Sequence, residues 1–223
     1  MLKIDNASAR IAGITVLRDI TTEFKPGQLL AVVGRNGAGK TTLLRAIMGL
    51  LPLSSGSISI EGHDLSKIPG HRRTEFGIGY APEDRAMFPT FTVEENLRLS
   101  CEVLSLPRAE ADRRLARVLE VVPQLEPMLV RSGAALSGGQ GKMAALGRAL
   151  MAGTRLVLLD EPFQGLAPVL ANQYAESLRK LHQLSPELCI VVTESNRSLL
   201  RDLPDATLTL ERGELVIGEL AAH

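Results

Sequence analysis

The segment GRNGAGKT, residues 34–41, constrains the fold most strongly, because it joins two different kinds of secondary structure. The mainly apolar residues 28–33 before it are typical of a strand buried in a parallel sheet. Residues 41–48 after it predict a helix, and Gly49 is a typical residue to end one. A strand, a glycine-rich turn and a helix in this order indicate a phosphate-binding loop.

The residue types within this loop fit the binding of a nucleotide. Its glycines let backbone N–H groups close around phosphates without a clash from a Cβ. Lys40 supplies a positive charge for the β- and γ-phosphates, and the Thr41 hydroxyl is placed to ligate Mg²⁺. The loop residues expected to bind ATP are Gly34, Arg35, Asn36, Gly37, Ala38, Gly39, Lys40, Thr41 and Thr42.

Further apolar segments predict an α/β fold with a mainly parallel core sheet. Residues 155–160 and 188–193 have the composition of buried strands, and the segments between strands are helical in pattern. Residues 57–60 and 207–210 alternate between polar and apolar side chains. This alternation predicts solvent-facing antiparallel strands, the second turning into a hairpin with residues 215–217.

A helical lobe is expected between the two halves of the core, because strand patterns vanish from about Val93 to Met151. Residues 108–122 predict an amphipathic helix with one apolar stripe and a basic, solvated outer face. The chain is therefore predicted to be one domain, in which residues 1–87 and 152–223 form the core with an antiparallel β subdomain. Residues 88–151 would form the inserted helical subdomain.

The strand that ends in Asp160 and Glu161 carries candidate catalytic residues. Asp160, at the carboxyl end of the strand, is well placed to hold Mg²⁺ through water. Glu161 is one residue further on, where a carboxylate could polarise the attacking water. The alternative for either residue is that it merely caps the following turn.

A second glycine-rich turn, LSGGQ, comprises residues 136–140. Ser137 is predicted to cap a helix from about Gly139 to Met151, with free N–H groups and the positive end of the helix dipole directed outward. Gly138 and Gly139 let another backbone approach closely. One nucleotide needs one phosphate loop, so Ser137, Gly138, Gly139 and Gln140 are expected to bind a nucleotide held by another molecule. The alternative is a plain helix cap.

Composition limits the function classes. Lys plus Arg and Asp plus Glu are balanced at 25 each, and seven aromatic residues with no Trp disfavour nucleic acid as a partner. The first residues have no apolar stretch of signal-peptide length, and no later run approaches the ~20 residues of a membrane span. We therefore expect a cytoplasmic protein that contacts a membrane through a partner.

Three motifs together, GRNGAGKT, LSGGQ followed by GRALM, and LVLLDEP, resemble the nucleotide-binding subunits of ABC transporters over essentially the whole chain. The resemblance implies a P-loop NTPase (RecA-like) core. It also implies a head-to-tail dimer closed on two ATP molecules, each between the P-loop of one subunit and the LSGGQ motif of the other. Closure would move two membrane-spanning permease subunits on the inner face of the cell membrane.

One branch of the family is more similar than others. Residues 77–85 (GIGYAPEDR), 88–97 (FPTFTVEENL) and 165–168 (GLAP) look like the ATPases of branched-chain amino-acid importers. Urea and short-amide importers use very similar subunits, so both cargo classes stay open. The branch implies a second ATPase subunit, identical or different, and indirectly a periplasmic binding protein.

The chain departs from the family pattern at three positions. Glu83 replaces a glutamine, and either approaches Mg²⁺ or forms a hinge that contacts the membrane partner. Ser195 aligns with the switch histidine, and its short O–H donor predicts slow hydrolysis or dependence on a partner site. Ile11 aligns with the aromatic residue that stacks on adenine, which predicts modest adenine affinity. Alternatively, Ile11 is buried in the first strand layer.

Phe88, Pro89 and Phe91 concentrate aromatic side chains at one point of an aromatic-poor chain. They either pack in the core or form a groove for a short cytosolic helix of the membrane subunit. Two rival functions stay open for the whole chain. One is a soluble protein that uses ATP clamping on ribosomes or DNA, and the other is a subunit that binds ATP without hydrolysing it.

Overall fold

The computed structural model describes residues 1–84, 87–200 and 202–216 of the chain. The strands are β1 (Leu2–Ile11), β2 (Ile14–Phe24), β3 (Leu29–Val33), β4 (Leu53–Ile60), β5 (His63–Asp64), β6 (Ile78–Ala81), β7 (Leu156–Asp160), β8 (Cys189–Glu194), β9 (Ala206–Glu211) and β10 (Glu214–Val216). The α-helices are α1 (Lys40–Ile47), α2 (Val93–Val103), α3 (Arg108–Val121), α4 (Gly138–Ala152) and α5 (Pro168–Leu184). Short 3-10 helices lie at Gly70–Phe76, Pro123–Met128, Gly133–Ala135 and Arg197–Leu199.

A six-stranded sheet in the order β10-β9-β3-β8-β7-β6 forms the core. All neighbouring pairs from β9 to β6 are parallel, and the edge strand β10 is antiparallel to β9. Every residue of β3, β7 and β8 is buried, as their apolar sequences predict for central strands of a parallel sheet. The predicted α/β fold is therefore confirmed.

The prediction for residues 207–210 is wrong in one respect, since β9 belongs to the core sheet and runs parallel to β3. Asp205 fixes this position, because its N–H donates to Leu29 O and its carboxylate accepts from Leu29 N, both at 2.8 Å. The alternating pattern arises because β9 is half buried near the sheet edge. The hairpin into β10 is confirmed, although Ile217 lies outside the described residues.

A second, antiparallel sheet in the order β2-β1-β4-β5 covers one side of the core and confirms the predicted antiparallel subdomain. Successive side chains of β3 point to opposite faces of the core sheet. Leu30 and Val32 join a hydrophobic cluster with α1 and the antiparallel sheet. Ala31 and Val33 join a second cluster, which they share with α2, α3, α4 and α5. The glycine-rich loop between β3 and α1 therefore follows a strand that is packed on both faces.

Helices α2, α3 and α4 form the predicted helical lobe and bury the expected apolar stripe of α3, including Ala111, Leu115 and Val118. Helix α4 lies close against β6, because a Cβ on Gly79 would come within 2.0 Å of Ala149 O. This contact attaches the lobe to the edge of the core sheet. The division of the domain at residues 88 and 151 stays a prediction.

Cys101 and Cys189 are both buried free cysteines. Across residues 1–84, 87–200 and 202–216, every helix is too short or too polar to span a bilayer.

Candidate nucleotide-binding site

The glycine-rich loop lies between the carboxyl end of β3 and the first residue of α1. Gly37 and Gly39 have φ angles of 80° and 111°, which side chains with a Cβ rarely adopt. A Cβ on Gly34 would lie 2.3 Å from Leu210 O, so this position has space for glycine alone. Helix α1 has no side-chain cap and no acidic residue in its first turn. Its N–H groups therefore face the loop without competition, which suits a phosphate.

Lys40 connects the loop to the end of the neighbouring strand β8. Its side chain is 5% exposed, and Nζ donates to Gly34 O at 2.8 Å and to Ser195 Oγ at 2.8 Å. Nζ also lies 2.9 Å from Glu161 Oε1 in an ion pair, and 3.3 Å from Arg35 O. The predicted phosphate-binding cation thus lies within contact distance of both predicted catalytic residues, Glu161 and Ser195.

Asp160 lies at the end of β7, directly below the loop. Its Oδ1 accepts hydrogen bonds from Thr41 Oγ1 at 3.1 Å and from Thr193 Oγ1 at 2.7 Å. Its Oδ2 lies 3.4 Å from the Tyr80 hydroxyl. Burial raises the pKa of Asp160 above its ordinary value, although the hydrogen bonds from Thr193 and Thr41 oppose this shift.

The oxygen atoms of Thr41 and Asp160 suit a magnesium ion better than a metal that is held by protein side chains alone. Within the described residues, no group of three or more His, Cys, Asp or Glu side chains could hold a metal by itself. Magnesium is commonly held by one or two protein oxygens together with substrate phosphates and water. Thr41 and Asp160 supply such a pair beside the phosphate loop, so the residues present fit this ion.

Glu161 has a backbone φ of 47°, in the left-handed region that residues other than glycine seldom adopt. Its carboxylate accepts from Ser195 N at 3.1 Å and Ser195 Oγ at 2.6 Å, in addition to the ion pair with Lys40. Burial by itself raises the pKa of Glu161, but the hydrogen bonds from Ser195 and Lys40 outweigh it and hold the pKa below its ordinary value. The group is therefore ionised at neutral pH, as a proton acceptor must be.

Among the described residues, neither the Asp160 nor the Glu161 carboxylate accepts a hydrogen bond from the turn that follows them. That turn is held by Glu194, whose Oε1 accepts from Phe163 N at 2.8 Å. Glu194 is fully buried, and it was missed by sequence reasoning although a charged residue inside an apolar run is a detectable signal. Lys142 of α4, also missed, is buried and donates to Glu161 O.

A cleft of about 350 Å³ lies over the loop. It is lined by Val16, Asn36, Gly37, Gly39, Lys40, Thr41, Thr42, Glu83, Glu161 and Gln164. The predicted metal residue Glu83 therefore faces the same space as the loop and Glu161. Val16 and Gln164 were not predicted, because nothing in their local sequence distinguishes them from ordinary strand and turn residues.

Ile11 lies at the end of β1, opposite Ile14 across the β1–β2 turn. Its side chain is 48% exposed, so the alternative that it is buried in the first strand layer is wrong. Val16 is the residue of this hairpin that lines the cleft. A contact between Ile11 and adenine stays a prediction.

The LSGGQ segment forms the predicted cap of α4. Ser137 Oγ accepts from Gln140 N at 3.3 Å, and Gln140 Oε1 accepts from Ser137 N at 3.0 Å, which completes a capping box. Gly138 is the first residue of the helix, followed by Gly139. None of residues 137–140 lines the cleft over the phosphate loop. The phosphate loop and the capped amino end of α4 are therefore separate from each other, and anion binding at either one stays a prediction.

A wider groove of about 860 Å³ adjoins this cleft between the core and the helical lobe. Phe88 lies along it and is 49% exposed, and the ring of Phe91, 38% exposed, is 5.5 Å from the Phe88 ring. The alternative that these rings pack in the core is therefore wrong. Buried Asn96 fixes their loop, because its side chain bonds Phe88 N at 2.7 Å and Phe88 O at 3.0 Å.

Known proteins share both the sequence and the fold. The branched-chain amino acid transport ATP-binding protein BraG of Pseudomonas aeruginosa, described as high-affinity, is 35% identical over 222 residues, covering 100% of this chain and 94% of that protein. The probable branched-chain amino acid transport ATP-binding protein LivF of Archaeoglobus fulgidus is 31% identical, covering 99% and 92%. A solved structure of an ATP-binding subunit of an ABC transporter matches with a TM-score of 0.85 and 28% identity, covering 99% of this chain and 90% of that one.

The family described as ABC transporter matches residues 17–164, a span that contains the phosphate loop, the LSGGQ segment, Asp160 and Glu161. Full-length relatives agree with this match over almost the whole chain. The chain belongs to the ABC transporter family, in which it is an ATP-binding subunit with ATPase activity.

Proposed function

We propose that this chain hydrolyses ATP to power an importer of branched-chain amino acids. The observation that carries the enzymatic part is the contact of Lys40 with both Glu161 and Ser195 beside the phosphate loop. The cargo is inferred from the similarity to BraG, which extends over the whole chain.

In the proposed reaction, each residue has a separate task. The loop N–H groups and Lys40 would bind the β- and γ-phosphates of ATP, and Thr41 and Asp160 would hold Mg²⁺, with Glu83 at the edge of the same cleft. Mg²⁺, when bound, would neutralise charge on the phosphates. Glu161, ionised and aimed at Lys40, would orient the attacking water and accept its proton.

The LSGGQ segment would complete a site on a second ATPase subunit. It supplies the exposed amino end of a 15-residue helix, capped by Ser137, and it lies outside the chain's own cleft. A head-to-tail dimer would bring this helix end to the phosphates bound by its partner. The partner is either a second copy or a different subunit of the same family.

The groove lined by Phe88, whose ring lies against that of Phe91, would receive a short helix of a permease subunit. Exposed aromatic side chains beside a groove suit the apolar face of such a helix. Glu83 lines both this groove and the cleft over the phosphate loop, and Tyr80 of the groove contacts Asp160. A movement of the residues that line the groove would thereby be transmitted to Asp160. A periplasmic binding protein would act indirectly, by delivering cargo to the permease.

A second candidate is a subunit that binds ATP but hydrolyses it weakly. Ser195 favours this reading, because its single hydroxyl already contacts Lys40, Glu161 and Asn36 within 2.8 Å. A hydroxyl has one proton to donate, so it cannot also donate to a phosphate while it serves Glu161.

Phosphate release by the purified chain separates the two candidates. We expect wild type to hydrolyse ATP, and Glu161→Gln to lose at least about 100-fold in rate while keeping its ATP affinity, because the substitution removes a proton acceptor that does not bind phosphate. Equal rates for wild type and the variant would refute the assignment of Glu161. A wild-type rate near zero with tight ATP binding would support the weakly hydrolysing subunit.

The cargo requires the assembled transporter in vesicles. Leucine presented with the cognate binding protein should stimulate ATP hydrolysis, whereas urea and acetamide should not. Stimulation by urea or acetamide alone would replace the amino-acid assignment with the short-amide alternative.

A further inference from the structure

Thr193 lies in the middle of the core sheet, immediately below the nucleotide cleft. In β8 it is opposite Asp160 of β7 on one side and Val32 of β3 on the other. It is fully buried and follows the apolar residues Val191 and Val192. Because opposite residues of neighbouring parallel strands point to the same face, the side chains of Thr193 and Asp160 lie side by side.

The Thr193 hydroxyl contacts both residues of the predicted acidic pair. It donates to Asp160 Oδ1 at 2.7 Å and accepts from Glu161 N at 3.1 Å. The same N–H lies 3.2 Å from Thr193 O. One hydroxyl therefore joins the carboxylate proposed to hold Mg²⁺ to the backbone of the proposed proton acceptor.

The backbone of Glu161 needs this support, because its φ of 47° is unfavourable for a residue with a Cβ. Thr193 holds the N–H side of this residue and Lys142 holds its carbonyl oxygen. Without the hydroxyl, Asp160 would lose a donor and the Glu161 N–H would keep only the backbone bond. The carboxylate of Glu161 would then be free to move relative to Asp160.

A buried hydroxyl in an apolar strand is costly unless its hydrogen-bonding capacity is used. Thr193 uses both its donor and its acceptor function. Ser177 of α5 offers a contrast, because its hydroxyl is equally buried but has no hydrogen-bond partner within the described part of the chain. The hydroxyl at position 193 therefore serves to bond Asp160 and Glu161, and packing of the core alone would not require a polar side chain there.

We propose that Thr193 is a positioning residue for ATP hydrolysis, whose hydroxyl fixes the metal-holding carboxylate of Asp160 relative to Glu161. This inference rests on the proposed roles of those two acids.

The test compares Thr193→Val, Thr193→Ser and the control Ser177→Ala with wild type in the full-length chain. Phosphate release gives kcat and KM, and calorimetry gives the ATP affinity in Mg²⁺ and in EDTA. For Thr193→Val we expect kcat to fall at least about tenfold, with KM and the affinity in EDTA within about twofold of wild type. The gain in affinity from Mg²⁺ should shrink. Thr193→Ser restores both hydrogen bonds and should approach wild type, as should Ser177→Ala.

The inference is overturned if Thr193→Val keeps the wild-type kcat and Mg²⁺ gain. It is also overturned if Thr193→Ser behaves like Thr193→Val, or if the affinity in EDTA falls as much as kcat, since both results indicate a merely structural role. If wild type releases no phosphate, the proposed hydrolysis fails separately. The calorimetric comparison then decides on Thr193, because an undiminished Mg²⁺ gain in Thr193→Val overturns its role and a diminished gain supports it.

Discussion

At the scale of single residues, Glu194 and Ser195 are adjacent at the end of β8 but make different contacts. The Ser195 hydroxyl contacts Lys40 and Glu161, two residues that line the cleft. Glu194 points into the interior, where Oε1 holds Phe163 N and Oε2 has no hydrogen-bond partner within the described residues. One residue is therefore suited to catalysis and the other to holding the turn after Glu161.

Ser195→Ala should lower kcat by roughly tenfold and leave ATP affinity nearly unchanged, because the variant removes a donor to Glu161 and an acceptor for Lys40. The measurement is steady-state phosphate release together with calorimetric ATP binding. Ser198→Ala is the control, since within the described part of the chain the Ser198 hydroxyl donates only to Asn196 Oδ1. A brisk wild-type rate that Ser195→Ala leaves unchanged would remove Ser195 from the catalytic residues.

Glu194 should make stability depend on pH. Burial raises its pKa from 4.5 to about 8, in surroundings that also contain the charged groups of Glu161 and Lys142 and the hydroxyl of Tyr174. Since the folded state binds this proton more tightly than the unfolded state, the stabilisation is complete below about pH 4.5 and is lost as the pH rises through about 8.

Glu194→Gln stays neutral and keeps an oxygen for Phe163 N, so its advantage over wild type should grow between pH 5 and pH 8.5. The expected gain in the free energy of unfolding is on the order of a few kcal/mol. Thermal unfolding across this pH range measures it, with Glu187→Gln on the surface as the control. A difference that does not change with pH would contradict the assignment.

At the scale of elements, helix α4 combines a capping box at its amino end with a side chain, farther along, that contacts the residue after β7. Its capping box is readable from the sequence, since Ser137 and Gln140 have the spacing of that motif. Farther along the same helix, Lys142 donates to Glu161 O. This contact links the helix that begins with the LSGGQ segment to the turn after β7. That link could not be predicted, because residues 142 and 161 meet only after α4 has packed beside the core sheet.

Ser137 caps α4 and is proposed to face a nucleotide bound by a partner, and substitutions can separate these two roles. Ser137→Ala removes the cap and should cost about 1 kcal/mol, or roughly 2–4 °C in Tm. Ser137→Asp keeps a capping oxygen and should retain wild-type Tm, but its negative charge opposes a partner's phosphates. ATP-dependent dimerisation, measured by light scattering in the Glu161→Gln background, should therefore be lost in Ser137→Asp. Normal dimerisation of this variant would contradict the sandwich arrangement.

At the scale of the whole molecule, the helical lobe and the core together form the groove that contains Phe88. The lobe brings Phe88, Val103 and Arg148 to a surface whose other side carries Tyr80 and Asp160 from the core. The groove and the nucleotide cleft therefore share a wall. If a permease helix binds here as proposed, this arrangement would provide a short route from that helix to Asp160.

Phe88→Ser should weaken binding to the permease subunits at least about tenfold, because it removes an exposed aromatic anchor. ATP binding and Tm should change little, since Phe88 is half exposed. The control is Val130→Ser, an 83% exposed apolar residue that does not line the groove. Affinity for the purified permease complex is the measurement, and equal losses from both variants would refute the groove assignment.

The amino-acid sequence by itself determined the elements whose signals are local. Glycines that need space or positive φ, a lysine and a threonine after them, apolar strands and a helix cap all act within a few residues of one another. These local rules predicted the phosphate loop, the end of β7 and the start of α4. They misjudged residues 207–210, because alternation describes exposure and does not reveal which strand lies alongside.

The tertiary structure decided which distant residues meet. Strand register placed Thr193 beside Asp160, and the packing of α4 brought Lys142 to Glu161, although each pair is separated by many residues in the chain. It also exposed Phe88 and Ile11, for which the sequence left burial open. Hydrogen bonds and burial between distant segments depend on the packing of both sheets and of helices α1 to α5, so no local pattern contains them.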